Sequence, residues 1–127
     1  MEKFLFVALG GATGAVARHA VGILTLRWFG PGWPWGTMTV NLLGGFLMGF
    51  LVSTLAFKGG GDQERWRLLL GVGVLGGFTT FSSFSLDVGN MIQRKAWLDA
   101  LGYVSISTVG SILALFLGLM AARRLFA

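Results

Sequence analysis

The sequence predicts an all-α integral membrane protein with four transmembrane helices, and three observations support this fold class. Hydrophobic residues make up 54% of the 127 residues and charged residues only 12%, whereas charged residues make up about 25% of an average soluble domain. Four segments carry almost no charge, and each is near the ~20 residues that a spanning helix needs. The connections between them are short. We therefore expect a single membrane domain.

The four predicted spans cover residues 4–26, 36–57, 66–92 and 97–122. Arg18 is the only basic residue inside the first span apart from the adjacent histidine, and the second span has no ionisable residue. The third span contains two glycines and two threonines at 76–80, where we expect the helix to break. An unpaired backbone group in hydrocarbon costs several kcal/mol, so such a break must be buried in protein, line a cavity or hold an ion.

The basic residues predict how the spans are oriented. With four spans, both termini and the connection at 58–67 lie on one side of the membrane, and six basic residues lie there against three on the other side. This excess favours both termini in the cytoplasm. The excess is small, so insertion in both orientations stays open.

Small residues recur at every fourth position on three of the spans. They are Gly10, Gly14 and Gly22, then Gly45, Gly49 and Ser53, then Gly110, Ala114 and Gly118. Such stripes pack helices either within one subunit or between subunits, and both interpretations stay open. Because four helices enclose little space, a pathway for a solute forms more readily between two copies. We therefore expect a homodimer.

Two polar residues in the first half of the chain need partners inside the membrane. Arg18 lies near the far interface of the first span, where it can snorkel, line an electropositive vestibule or cap a neighbouring helix. Asn41 lies in the second span, and its amide offers two donors and an acceptor. An interhelical hydrogen bond and a donor in a pore are the two interpretations of Asn41.

The last two spans carry residues that suit a pathway for a solute. Tyr103, Ser107 and Ser111 are four residues apart and lie on one helix face as a polar track, unless the serines bond back to their own helix. Phe81 and Phe84 also share a face. They are packing residues, or their electropositive ring edges face an anion.

The class of solute follows from the polar residues in the spans. None of them is a carboxylate at mid-membrane, and most can donate a hydrogen bond, which favours a small hydrated anion over a cation. Carbonyls freed at the helix break are acceptors and could hold Na⁺. From its place towards the end of the third span, we expect Asp87 to be solvated or paired with a basic residue.

Other classes of function fit less well. No paired carboxylates, metal-ligand cluster or nucleophile set indicates an enzyme, and the G-x-G-x-x-G match at 71–76 has no preceding strand. No soluble basic surface indicates nucleic-acid binding. A small dual-topology exporter of drugs or guanidinium would need a carboxylate inside the first span, whereas Glu2 lies outside it. A non-transporting assembly subunit would explain the glycines but not the break.

These residues together resemble the small Fluc (CrcB-type) fluoride channels of microorganisms. The resemblance covers the whole chain, since each span contributes a part of it. The parts are residues 10–18 (GGATGAVAR), residues 36–41 (GTMTVN), residues 76–85 (GGFTTFSSFS) and the ladder of Tyr103, Ser107 and Ser111.

The resemblance implies an antiparallel, dual-topology homodimer in the lipid bilayer. Such a dimer has two pores, each lined by both subunits, and exports fluoride passively down its electrochemical gradient, which protects the cell from fluoride. The residues that the resemblance places on the anion pathway are Phe81 and Phe84, as an aromatic wall, and Asn41, Tyr103, Ser107 and Ser111, as a polar track.

The resemblance also implies a Na⁺ at the centre of the dimer. Its ligands would be the backbone carbonyls of Gly76 and Thr79 from each subunit. Arg18 matches the arginine of the family's first span and is expected to shape a vestibule. Where family members often carry glutamate near the end of the third span, this chain has Asp87.

Overall fold

The computed structural model describes residues 1–127, and nearly all of them are helical. In chain order the helices are α1 (Glu2–Phe29), α2 (Trp35–Lys58), α3 (residues 63–78), α4 (Phe81–Gln93) and α5 (Trp97–Phe126). A short 3₁₀ turn, Gly60–Asp62, precedes α3. The third span consists of α3 and α4 together, and four stretches are long and apolar enough to cross a membrane. The four predicted spans are confirmed.

α3 changes its winding along its length. An α-helical turn, Gln63–Trp66, leads into a π-helix, Arg67–Leu75, and a last α-helical turn, Gly76–Phe78. π-Helices are rare and mostly a single turn long, so nine residues is an unusual length. The G-x-G-x-x-G match at 71–76 lies inside this helix and forms no phosphate-binding loop.

The helix break is confirmed within residues 76–80, but the glycines are not the residues that unwind. Thr79 (φ −86°, ψ 161°) and Thr80 (φ −153°, ψ 120°) are extended, whereas Gly76–Phe78 stay helical. Gly77 serves close packing instead, since a Cβ there would lie 2.5 Å from the carbonyl oxygen of Gly11 in α1.

Glycines bring helix backbones into contact at two places in the subunit. A Cβ added at Gly14 would overlap the carbonyl oxygen of Val74, so α1 lies directly against α3. A Cβ added at Gly49 would overlap Leu115 of α5 in the same way. At these positions the interpretation that the stripes pack helices within one subunit is confirmed. A Cβ added at Gly22, in contrast, would meet no atom within 4 Å.

Both termini lie at the same end of the helices as the connection between α2 and α3. Lys3 Nζ is 2.9 Å from Glu64 Oε1, and an Arg65 nitrogen is 3.6 Å from Glu2 Oε1. At the C-terminus, Lys58 Nζ lies 4.5 Å from the centre of a phenylalanine ring in the last turn of α5. These exposed pairs contribute little stability, but they confirm the predicted arrangement of the termini.

Candidate functional site

An open cleft of about 480 Å³ lies beside the helix break. Side chains and backbone from α2 to α5 line it, and none of the lining residues is charged. The residues from the sequence analysis that the structure brings together here are Asn41, Gly76, Thr79, Phe81, Phe84, Ser107 and Ser111. The cleft is therefore the candidate site.

Asn41 holds the helix break open with two hydrogen bonds. Its Nδ2 donates to the carbonyl of Thr80 over 3.0 Å, and the N–H of Thr80 donates to its Oδ1 over 2.8 Å. The interhelical hydrogen bond expected for Asn41 is present. One N–H of the Asn41 amide is left over, because an amide nitrogen has two, and Asn41 also lines the cleft.

The break leaves the backbone carbonyls of residues 76–79 without their helical donors, and Gly76 and Thr79 are the two of these residues that line the cleft. In a continuous α-helix the Gly76 carbonyl would accept from the N–H of Thr80, which is bonded to Asn41. The Thr79 carbonyl would accept from the N–H of Ser83 in the same way, and that N–H donates to the Thr80 hydroxyl over 3.2 Å. Two acceptor oxygens are thus freed beside the cleft.

Arg18 caps the end of α3. Its Nε donates to the carbonyl of Gly77 over 3.0 Å, so this carbonyl is paired although it lies next to the break. Arg18 also lines a second cavity of about 1050 Å³, which we call the vestibule, between the end of α1, the loop at 30–36 and α4. Of the three interpretations of Arg18, capping is observed, and a role in shaping an electropositive vestibule stays a prediction.

The structure does not bring Tyr103 into the cleft. Tyr103 is fully buried, and its hydroxyl donates to Asp87 Oδ2 over 2.9 Å. Its ring packs 5.1 Å from the Phe84 ring and 5.6 Å from the Trp33 ring, measured between centroids. Asp87 is half-buried and lines an open cavity, so its expected solvation is not contradicted, but its hydrogen-bond partner is a tyrosine and not a basic residue.

Ser107 and Ser111 lie on the cleft side of α5. The Ser107 side chain is only 5% exposed, and its hydroxyl has no hydrogen-bond partner in the chain. Ser107 therefore does not bond back to its own helix, which was one of the two interpretations. A buried hydroxyl without a partner can donate to a solute in the cleft.

The two phenylalanines of α4 lie at the cleft with different exposure. Their ring centroids are 5.7 Å apart, with the rings tilted by 43°. Phe84 is half-buried against Tyr103, whereas Phe81 is 79% exposed on the single subunit. The cleft thus has one wall that stands free of the rest of the chain.

Comparison with known proteins places the chain in a family. The model of the family described as "CrcB-like protein, Camphor Resistance (CrcB)" matches residues 5–119. The chain belongs to this CrcB-like family. It is 58% identical over 127 residues to a protein of Phenylobacterium zucineum (strain HLK1), and 50% identical over 127 residues to one of Hyphomonas neptunium (strain ATCC 15444). Both chains are fully covered each time, and both relatives are named fluoride-specific ion channel FluC.

In this CrcB-like chain, sequence reasoning missed one functional contact and one backbone role. The bond between Asp87 and Tyr103 joins residues 16 positions apart in different helices. Spacing within one helix does not reveal a partner in another helix, so no signal in the sequence would have found it. Nothing in the sequence marks the Thr80 hydroxyl as an acceptor for Ser83, apart from the general preference for threonine at helix N-caps.

Proposed function

We propose that this chain is a subunit of a fluoride-specific ion channel and not an enzyme. It would export fluoride passively across the cell membrane and so protect the cell from fluoride. The relatives named as fluoride-specific channels, at up to 58% identity over the whole chain, support the proposal. The observation that carries it is the cleft itself, which joins hydrogen-bond donors and aromatic rings at membrane depth without a charged residue.

The residues of the cleft suit a strongly hydrated anion. An anion that leaves water needs donors to replace its hydration shell. The remaining N–H of Asn41 and the unpartnered hydroxyl of Ser107 are such donors, and Ser111 extends the row by one turn. The rings of Phe81 and Phe84 can present electropositive edges. No carboxylate lines the cleft, so no full negative charge there repels an anion.

We propose that the working channel is an antiparallel, dual-topology homodimer with two pores. The exposure of Phe81 and the openness of the cleft support this arrangement, since a second copy would close the free wall. The small difference in basic residues between the two ends supports insertion in both orientations. Arg18 would then give each vestibule a positive charge that attracts fluoride.

We also propose the Na⁺ at the centre of the dimer. The freed carbonyls of Gly76 and Thr79 fit it, because broken-helix carbonyls coordinate Na⁺ in membrane proteins. Two carbonyls per subunit would give four neutral oxygens, which suit a monovalent cation. No group of three or more His, Cys, Asp or Glu residues is placed to hold a metal ion, so the ligands proposed here are backbone carbonyls. A bound Na⁺ would supply a positive charge that ties the two subunits together.

The test is fluoride and chloride efflux from proteoliposomes, followed with ion-selective electrodes. We expect rapid loss of fluoride and retention of chloride. Replacing both Phe81 and Phe84 with isoleucine should abolish fluoride efflux while the protein elutes from a sizing column as the wild type does. The matched control is Phe116→Ile, which changes an exposed phenylalanine of α5 that lies outside the cleft.

Any other result of this experiment would lead to a different conclusion about the function. Unchanged fluoride efflux in the double variant rejects the aromatic wall, and equal efflux of chloride rejects fluoride specificity. Fluoride movement that requires a proton gradient, together with transport of guanidinium, would indicate the exporter class. No flux of any of these ions would indicate a non-transporting subunit.

A further inference from the structure

We propose that Asp87 is a positioning residue for the Phe84 ring in the wall of the cleft. By accepting the Tyr103 hydroxyl, Asp87 holds the tyrosine ring against Phe84, and the tyrosine ring fixes where Phe84 stands. This inference rests on the proposed function, because it assigns a role in the anion pathway. It names a residue that acts on the wall of the cleft only through another side chain.

The three side chains form a closed set of contacts. Asp87 and Phe84 lie three residues apart on one face of α4. Tyr103 of α5 touches both, with its hydroxyl 2.9 Å from Asp87 Oδ2 and its ring centroid 5.1 Å from that of Phe84. A movement of the tyrosine ring therefore moves the surface on which Phe84 packs.

Tyr103 is held in place on its other side as well. The Trp33 ring meets it edge-on, at 5.6 Å and an interplanar angle of 83°. Tyr103 also forms a buried cluster with Met91 and Ala100. The phenol hydroxyl is buried, and leaving such a group unpaired is costly, so the hydrogen bond to Asp87 is a directional restraint on the ring in addition to this packing.

The position of α4 depends more on such a hydrogen bond than the positions of the other helices do, because α4 buries few residues. Phe81 and Leu86 are 79% and 65% exposed, and Met91 is the only fully buried residue of α4. Side-chain hydrogen bonds tie α4 to other helices at two places, between Asn41 and Thr80 at its start and between Asp87 and Tyr103 in its middle. Phe84 lies between these two ties.

A second role for Asp87 is possible in principle and predicts different results. Asp87 also lines the vestibule with Arg18 and Arg94, so its negative charge could act directly on an entering anion. Asparagine at this position separates the two roles. It keeps an oxygen that can accept the Tyr103 hydroxyl, but it has no charge.

The experiment measures fluoride efflux from proteoliposomes for Asp87→Asn, Asp87→Ala, Tyr103→Phe and the double variant Asp87→Ala/Tyr103→Phe. Asp87→Ala and Tyr103→Phe are each expected to slow efflux about tenfold, and the double variant no further, because both changes remove one hydrogen bond. Asp87→Asn is expected to restore efflux to within about twofold of the wild type. Tyr103→Phe keeps the ring, so it tests the bond even where Asp87→Ala impairs folding.

Wild type and Phe84→Ile are measured beside these variants. Slow efflux in Asp87→Asn with normal efflux in Tyr103→Phe would overturn the inference in favour of the charge. Normal efflux in both Asp87→Ala and Tyr103→Phe, with loss in Phe84→Ile, would overturn it and leave the proposed channel standing. No fluoride efflux in the wild type would reject the channel itself, and the inference with it.

Discussion

The two halves of the third span are held in the protein by different means. α3 lies against α1 with backbone touching backbone, and its buried residues include Gly71, Gly73 and Phe78. α4 buries only Met91 completely, and polar side chains tie it to α2 and α5. Two extended threonines separate the halves.

This difference indicates that the two halves of the third span have different roles. Close contact between helix backbones fixes α3, so α3 serves as the support. α4 carries the phenylalanines of the cleft, and directional hydrogen bonds fix its position. Side chains that must face a pathway cannot also be packed into a core.

The largest effect is expected from closing the gap between α1 and α3. Gly14→Ala puts a methyl group into the carbonyl of Val74, and because backbone cannot move aside, we expect a loss of about 1–3 kcal/mol or more. Gly22→Ala is the matched control in the same helix, since its Cβ meets open space. Alanine should there stabilise the helix slightly. Thermal unfolding of the purified protein in detergent measures both.

A lower unfolding temperature for Gly14→Ala and a higher one for Gly22→Ala would support the conclusion that backbone contact holds α3. Equal effects would show that α3 is not held by the close approach of the backbones.

A middle-sized effect is expected at Asn41. Asn41→Ala removes two hydrogen bonds to the half-buried backbone of Thr80, each with a net contribution of about 0.5–1.5 kcal/mol. Asn41→Asp keeps an acceptor for the N–H but loses the donor and adds a negative charge beside the cleft. We therefore expect Asn41→Asp to be more stable than Asn41→Ala and still to conduct fluoride poorly.

Unfolding temperature and fluoride efflux are measured on both variants. Asn90→Ala, on the vestibule side of α4, is the control and should match the wild type in both measurements. Normal efflux in Asn41→Asp would leave Asn41 with a structural role only.

The smallest effect is expected from withdrawing Na⁺. If the freed carbonyls of Gly76 and Thr79 hold the ion, its loss should lower the unfolding temperature by about 2–4 °C through mass action. Dialysis into N-methylglucamine chloride, followed by return of NaCl, measures the change and its reversal. An unfolding temperature that does not change when Na⁺ is withdrawn would reject the Na⁺ site.

Much of the fold could be predicted from sequence because it depends on composition. The four spans, the shared end of both termini and the break at 76–80 follow from hydropathy, basic residues and a polar run at membrane depth. The winding of α3 could not be predicted, since a π-helix has no clear sequence pattern. The glycines around 76 indicated unwinding, whereas their lack of a Cβ serves contact with α1.

The sequence analysis predicted most residues of the candidate site, but it did not predict all of the contacts between them. Asn41, Phe84 and Ser107 line one cleft, as expected from their polarity and spacing. Tyr103 shares the helix face of Ser107 in sequence, yet it lies behind Phe84. Its partner is 16 residues away in another helix, and periodicity within one helix carries no information on such a partner.

The pairing of Asn41 with Thr80 has a consequence for how the chain is made. A ribosome synthesises the N-terminal part first, so α2 is complete before the residues of the break emerge, 39 positions later. The amide that must pair with the exposed backbone is therefore already in the bilayer when that backbone arrives. If the broken span were synthesised before α2, it would enter lipid with the N–H and the carbonyl of Thr80 unpaired. The order of the helices along the gene thus protects the least stable crossing during biogenesis.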